Sequence, residues 1–259
     1  MTGRRHAFVT GAGSGIGKAI AVRLAAAGHA VTLAGRRSAP LEAVAAETAT
    51  AGGETFVIDG FDVTNPSAVG AGINRSLERF GDIAVLINCA GEAPSAPFEK
   101  TSPDVWNRVI GINLTGAFLT AQAALPSIRR AGNGRVVNIA STAGLIGYPY
   151  VTAYCASKHG LIGLTRALAL ELARTDITIN AVCPGFTDTP LLDGAVEVIT
   201  GKTGRTPDQA RASLARSNPQ GRLVTPDEVA NTVLWLVGDG ATAITGQAIA
   251  VAGGEVMTG

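Results

Sequence analysis

A tyrosine and a lysine stand four residues apart in Tyr154-Cys155-Ala156-Ser157-Lys158, at the start of an Ala- and Leu-rich stretch that reads as a helix. Four residues is about one helical turn, so both side chains leave one face and can act together. An unperturbed phenol titrates near ~10, too high for a base at neutral pH, and a neighbouring ammonium favours its phenolate. The pair can therefore give or take a proton, with Lys158 tuning Tyr154. Alone it would be ordinary, since Tyr-x-x-x-Lys occurs on many amphipathic helices. Ser141 ends the strand-like segment 136–141, thirteen positions before Tyr154. Its hydroxyl can bond a substrate oxygen more strongly as charge develops there.

A second group suits phosphate. Thr10-Gly11-Ala12-Gly13-Ser14-Gly15-Ile16-Gly17 follows the first apolar run and opens a helix. Backbone amides and the helix dipole at such a turn can receive a pyrophosphate, making Gly11, Ser14, Gly15, Ile16 and Gly17 candidate cofactor contacts. Roughly 20 residues on, at the end of the second strand, an Asp or Glu would hold the ribose hydroxyls of NAD. The chain has Gly35, Arg36 and Arg37 instead. A guanidinium suits a 2'-phosphate, so NADP(H) is expected over NAD(H). The competing reading is a solvated Arg pair at a helix start.

These residues need a scaffold. Seven β-rich apolar runs, at 7–10, 30–34, 55–58, 83–87, 135–140, 178–183 and 247–251, alternate with helical patterns starting near Ile16, Leu41, Pro66, Pro103, Ala153 and Pro226. Continuous Val/Ile/Ala runs mark strands buried on both faces, and the alternation predicts an α/β, doubly wound parallel sheet. Proline at a first helical position supports several of the starts. Residues 191–224, rich in Gly, Thr and Arg, break the pattern and read as a lid insertion over the substrate.

At 259 residues and 46% hydrophobic, the chain can bury one full core, and no linker, charge block or repeat divides it, so a single domain over 1–259 is expected. With 21 basic and 20 acidic residues, no strong field draws nucleic acid or an anionic membrane. A small-molecule substrate fits better. Cys89, Cys155 and Cys183 lack the paired spacing of a zinc site and are odd in number, so no metal and a reducing, cytoplasmic setting are expected. Residues 1–6 leave no room for a signal peptide's apolar region, and no apolar run approaches the ~20 residues of a membrane span.

Read in order, the glycine turn after the first strand, Asn88-Cys89-Ala90-Gly91 after the fourth, Ser141 after the fifth, Tyr154-x-x-x-Lys158 on the next helix and then Pro184-Gly185 resemble the short-chain dehydrogenase/reductase family over residues 8–254. The resemblance implies a Rossmann-type fold and hydride transfer between a nicotinamide and a carbonyl or secondary alcohol, with Tyr154 as general acid or base and Ser141 polarising the carbonyl. It implies that Asn113, in Ile112-Asn113-Leu114-Thr115-Gly116, holds a water relaying protons to Lys158. For the cofactor it implies Asp62 and Val63 beside the adenine, with Asp59 a competing candidate. It further implies Asn88, Ala90 and Gly91 after the fourth strand, and Pro184, Gly185, Thr187 and Thr189 around the nicotinamide, with Tyr154 and Lys158 also touching the cofactor. Cys89, where the family has Asn, reads as a small buried hydrophobe.

Residues 171–186 are similar to β-ketoacyl thioester and polyketide ketoreductases, which points to a 3-oxoacyl thioester carried on coenzyme A or an acyl carrier protein. Arg129 and Arg130 could meet an acidic carrier, although helix-end cations are usually dipole partners. An NAD-linked secondary-alcohol or 3-hydroxyacyl-CoA dehydrogenase is the first alternative, and a non-catalytic dinucleotide-binding regulator the second. The family resemblance also implies pairing of helices 106–125 and 156–173 in a homodimer or homotetramer, while Leu161, Leu164 and Leu168 fit plain core as well.

Overall fold

The computed structural model describes residues 4–257; Met1–Gly3 and Thr258–Gly259, the outer ends of the expected domain, lie outside the described residues. Seven strands form one parallel sheet: β1 (His6–Thr10), β2 (Ala30–Ala34), β3 (Glu54–Ile58), β4 (Ile83–Asn88), β5 (Arg135–Ile139), β6 (Thr178–Pro184) and β7 (Ala248–Val251). Their order is β3-β2-β1-β4-β5-β6-β7. Every expected strand is present within one or two residues of its expected bounds.

The strands' alternate residues enter different cores. Ala7 and Val9 face a layer containing Ile20 and Leu24 of α1 (Gly15–Ala26), Leu41 of α2 (Ser38–Thr50) and Val233 of α9 (Pro226–Val237). Phe8 faces the opposite layer, with Ile73 of α3 (Pro66–Phe80), Ile128 of α5 (Gly116–Ala131) and Leu172, just after α6 (Thr152–Glu171). Apolar burial on both faces accounts for the unbroken Val/Ile/Ala strands. Local chemistry starts the helices: Asn65 accepts from the backbone N–H of Ser67 and Ala68 before Pro66, and Thr225 and Glu228 form a capping box around Pro226.

Two regions depart from expectation. Helix α4 (Pro103–Ile110) runs into α5 through a π-helical turn, Gly111–Thr115, which the sequence reading missed. The irregular 191–224 stretch contains α7 (Pro190–Thr203) and α8 (Pro207–Ala215), joined around Leu192, Val196 and Ala210, before the chain returns at Val224 to bridge Thr187. The membrane reading also needs correction. The continuous helical path Pro103–Ala131, 29 residues with mean hydropathy 1.3 in its most apolar window, is long and apolar enough to cross a bilayer. Here it packs Val109, Ala124 and Ile128 into the interior.

Candidate active site

A cavity of about 620 Å³ opens at the carboxyl ends of β1, β4, β5 and β6, beside the point where β1 has β2 on one side and β4 on the other. Ligands of open α/β sheets collect at such a switch point. Gly11, Ser14, Gly15, Ile16 and Gly17 line it. A Cβ on Gly17 would lie 2.2 Å from the Gly11 carbonyl oxygen, so only glycine lets α1 start this close to the turn. Behind the turn, Thr10 Oγ1 accepts from the N–H of Cys89 (3.0 Å) and Ala90 (3.1 Å). That buried hydroxyl pins the end of β4 to β1 and sets Ala90 and Gly91 into the cavity wall. Thr10 takes this role through contacts 79 and 80 residues away, which the local motif does not announce.

At one end stand Arg36 and Arg37, both exposed, with Asp62 and Val63 opposite. Among the described residues neither arginine enters an ion pair, so both guanidiniums are available to a phosphate. Asp62 accepts from the N–H and hydroxyl of Thr64 (2.9 and 2.8 Å), and these bonds, with Arg36 nearby, hold its pKa below the ordinary carboxylate value. Asp62 lines the cavity and Asp59 does not, which separates the two candidates. The glycine cradle, the bare guanidiniums and the unpaired half of Asp62 fit a dinucleotide. Asn88 is placed differently: its amide donates to Asn138 Oδ1 (2.9 Å), tying β4 to β5, and its side chain does not reach the cavity.

At the other end the structure brings Ser141, Tyr154 and Lys158 together. Ser141 Oγ accepts from Ala143 N–H (3.1 Å), while Lys158, only 5% exposed, donates to the Ile139 carbonyl (2.7 Å). Lys158 Nζ lies 5.6 Å from the centre of the Tyr154 ring. Burial pushes the Tyr154 phenol up to about 12, with Ser141 pulling the other way, and brings the Lys158 ammonium down to about 8. The expectation that Lys158 lowers the Tyr154 pKa is thus outweighed here by desolvation, which favours the neutral form of both groups. Burial likewise raises the Cys89 thiol to about 12, which keeps it protonated and inert, as expected of a small apolar residue.

Asn113 lies in the π turn, where its Nδ2 donates to the Glu92 carbonyl (2.9 Å) and Ser157 Oγ (3.1 Å), and its Oδ1 accepts from Glu92 N–H (2.9 Å). Its amide clamps the loop after Gly91 instead of lining the cavity. A Cβ on Gly91 would meet Asn113 Oδ1 at 3.2 Å and Lys158 Nζ at 3.7 Å, so the two side chains converge there. Pro184, Gly185, Thr187 and Thr189 complete the wall between β6 and α7. The Thr187 and Thr189 hydroxyls donate to the Gly185 and Thr187 carbonyls (2.9 and 3.2 Å), leaving oxygen lone pairs as acceptors.

The model of the family described as short chain dehydrogenase matches residues 5–198. The chain belongs to this family. Among relatives of this short-chain dehydrogenase, a protein named as ketoacyl reductase 1 of the granaticin polyketide synthase of Streptomyces violaceoruber is 41% identical over 252 residues, covering 96% of this chain and 92% of that one. D-beta-hydroxybutyrate dehydrogenase of Rhizobium meliloti is 36% identical over 253 residues, covering 96% and 98%. A solved structure of a variant of actinorhodin polyketide ketoreductase with NADPH superposes with TM-score 0.94 at 39% identity, covering 97% of each chain. The dehydrogenase family, the oxidoreductase class and ketoreductase-type relatives therefore stand together with the Rossmann-type sheet.

On its substrate side the cavity is walled by Tyr148, Val151, Phe186, Leu191, Leu192 and Val198, among others. Arg36, Arg37 and Lys158 are its only cations among the described residues, and the first two sit at the cofactor end. Arg129 and Arg130 are far from this wall. They end α5 at the amino edge of the sheet, about 17 Å of strand away, and Arg130 pairs with Asp82 at 2.8 Å. Their place fits helix-dipole partners.

Proposed function

We propose that this short-chain dehydrogenase is an NADPH-dependent reductase of a ketone, with a 3-oxoacyl thioester on coenzyme A or acyl carrier protein as the preferred substrate class. The convergence of Ser141, Tyr154 and Lys158 on the cavity that Arg36 and the glycine turn share carries the reading. The nicotinamide supplies the hydride when bound. Ser141 Oγ and the Tyr154 hydroxyl hold the carbonyl oxygen, and Tyr154 delivers the proton as negative charge builds there. With its pKa near 12 the phenol is loaded as an acid. Lys158, protonated below about 8, offsets the negative charge left on the phenolate. Asn113 supports the loop beside Lys158 through its bonds to Glu92.

Similarity to a hydroxybutyrate dehydrogenase favours a second reading, NAD-linked oxidation of a small hydroxy acid. The apolar substrate wall argues against it, because a substrate carboxylate buried there would have no cation beyond the engaged Lys158. A neutral thioester or ketone has no such cost. Three unpaired cysteines fit a reducing cytoplasm. Exposed Trp106 and Phe118 on the α4–α5 path and Leu170 on α6 fit pairing of these helices in a homodimer or homotetramer.

The test follows absorbance of the reduced nicotinamide with 3-oxoacyl thioesters, simple ketones and diketones. NADPH oxidation with a thioester, abolished in Tyr154→Phe, is the expected result. Turnover with NADH alone would overturn the cofactor assignment, and NAD-dependent oxidation of 3-hydroxybutyrate without thioester reduction would overturn the direction.

A further inference from the structure

Behind Ser141 lies a hydrogen-bonded chain that the proposed chemistry does not use. Tyr148 Oη donates to Glu255 Oε1 (2.7 Å) and lies 2.9 Å from Thr142 Oγ1. A phenol has one proton, so with the carboxylate taking it the Thr142 hydroxyl is the donor to Tyr148. Burial first, and the Glu255 carboxylate with it, raises the Tyr148 pKa above the ordinary phenol value, keeping this proton in place. The Tyr148 ring lines the cavity and meets Phe186 edge-on, centres 6.0 Å apart at 84°.

Glu255 arrives from the end of the fold. After β7 the chain turns at Gly253, where a Cβ would fall 1.9 Å from Asn218 Oδ1, so the turn lies flush against the segment returning from α8. The carboxylate then reaches under Tyr148, with its Oε2 buried and unpartnered among the described residues and 2.8 Å from the place of a Gly185 Cβ. Half-satisfied burial of a carboxylate is costly. Its one strong bond fixes the phenol.

We infer that Glu255 is a positioning residue for the substrate: through Tyr148 it holds the aromatic wall that Tyr148 and Phe186 present, and so favours ketones carrying a ring. This rests on the ketone-reductase reading. An aromatic pair adds contact energy for a stacked ring, and a tethered phenol has little freedom left to lose when substrate binds. An open-chain ketone gains little from either effect.

Full-length protein with NADPH would be assayed on 1-tetralone and on acetoacetyl-N-acetylcysteamine, comparing wild type with Glu255→Ala, Glu255→Gln and Tyr148→Phe. For Glu255→Ala, loss of a bond to a charged group should raise KM for 1-tetralone about tenfold. Its kcat should stay within about twofold, and KM for the open-chain thioester should barely move. Glu255→Gln, whose amide oxygen still accepts, should recover most of the loss, and Tyr148→Phe, which removes the other end of the bond, should likewise raise KM for 1-tetralone about tenfold. Equal losses on both ketones, or no loss, would overturn the inference. Calorimetric binding of 1-tetralone to the NADPH-loaded protein needs no turnover and separates the two claims. If tetralone binds wild type tightly and Glu255→Ala about tenfold more weakly while no NADPH is oxidised, the reductase reading fails and the inference stands. If the affinities are equal, or tetralone does not bind, the inference fails.

Discussion

Tyr154 and Lys158 share one burial and respond in opposite directions, the phenol held protonated up to about 12 and the ammonium poised near 8. Reduction should therefore hold steady through neutral pH and decline above about pH 8, where Lys158 loses its charge; a pH profile of kcat/KM checks this. Tyr154→Phe should lower kcat by about 10²- to 10⁴-fold, the usual contribution of a positioned acid, with cofactor binding retained. Arg36→Ala should raise KM for NADPH by roughly ten- to a hundredfold and leave NADH nearly unchanged, since one charge-assisted bond to the 2'-phosphate is lost. Steady-state kinetics with both cofactors measures it. At this scale the sequence was informative wherever a short motif fixed the geometry: the glycine turn, Ser141 and the Tyr154–Lys158 pair all reach the cavity. It was silent where distant residues meet. Asn88 and Asn113 serve as clamps, and the Tyr148–Glu255 contact joins positions 107 residues apart, which no local pattern announces.

Strands were legible because burial on both faces writes a continuous apolar run, and helix starts because Pro and a capping residue stand together. The π turn at Gly111–Thr115 was hidden, since one extra residue in a helix leaves no compositional mark. Helices α7 and α8 were hidden because Gly194, Gly201 and Gly204 lower local propensity, while the contacts that hold them, Leu192 and Val196 against Ala210, form between elements. Caps make an element-scale prediction: Thr225→Ala should cost about 1 kcal/mol by removing the box that starts α9, visible as a shift in chemical denaturation midpoint. His6 makes another. It bonds the Gly81 carbonyl (2.9 Å) and Thr32 Oγ1 (3.0 Å), and burial lowers its pKa from 6.5 to about 4. The unfolded chain takes up this proton first, so stability is full above pH 6.5 and falls as pH drops toward 4, by about 3 kcal/mol in total. Denaturation midpoints between these pH values should slope less in His6→Gln.

At the scale of the whole molecule, a cofactor that binds only the folded chain stabilises it by mass action, about 2.7 kcal/mol at a hundredfold excess over Kd. NADPH should thus raise Tm more than NADH at equal concentration, and Arg36→Ala should erase the difference. The strand order carries a consequence of another kind, for the time course of folding. β1 lies between β2 and β4, so its second edge stays open until residue 88 has been made, and β6 stays open until β7 at Ala248–Val251 arrives. Parallel pairings across such separations form slowly. On the ribosome the glycine turn can be built early, while the Pro184-Gly185 wall gains its outer strand only after Val251 has been made. A ribosome-stalled chain ending near residue 240 should leave β6 exposed to proteolysis and to chaperones, and release of the full chain should protect it.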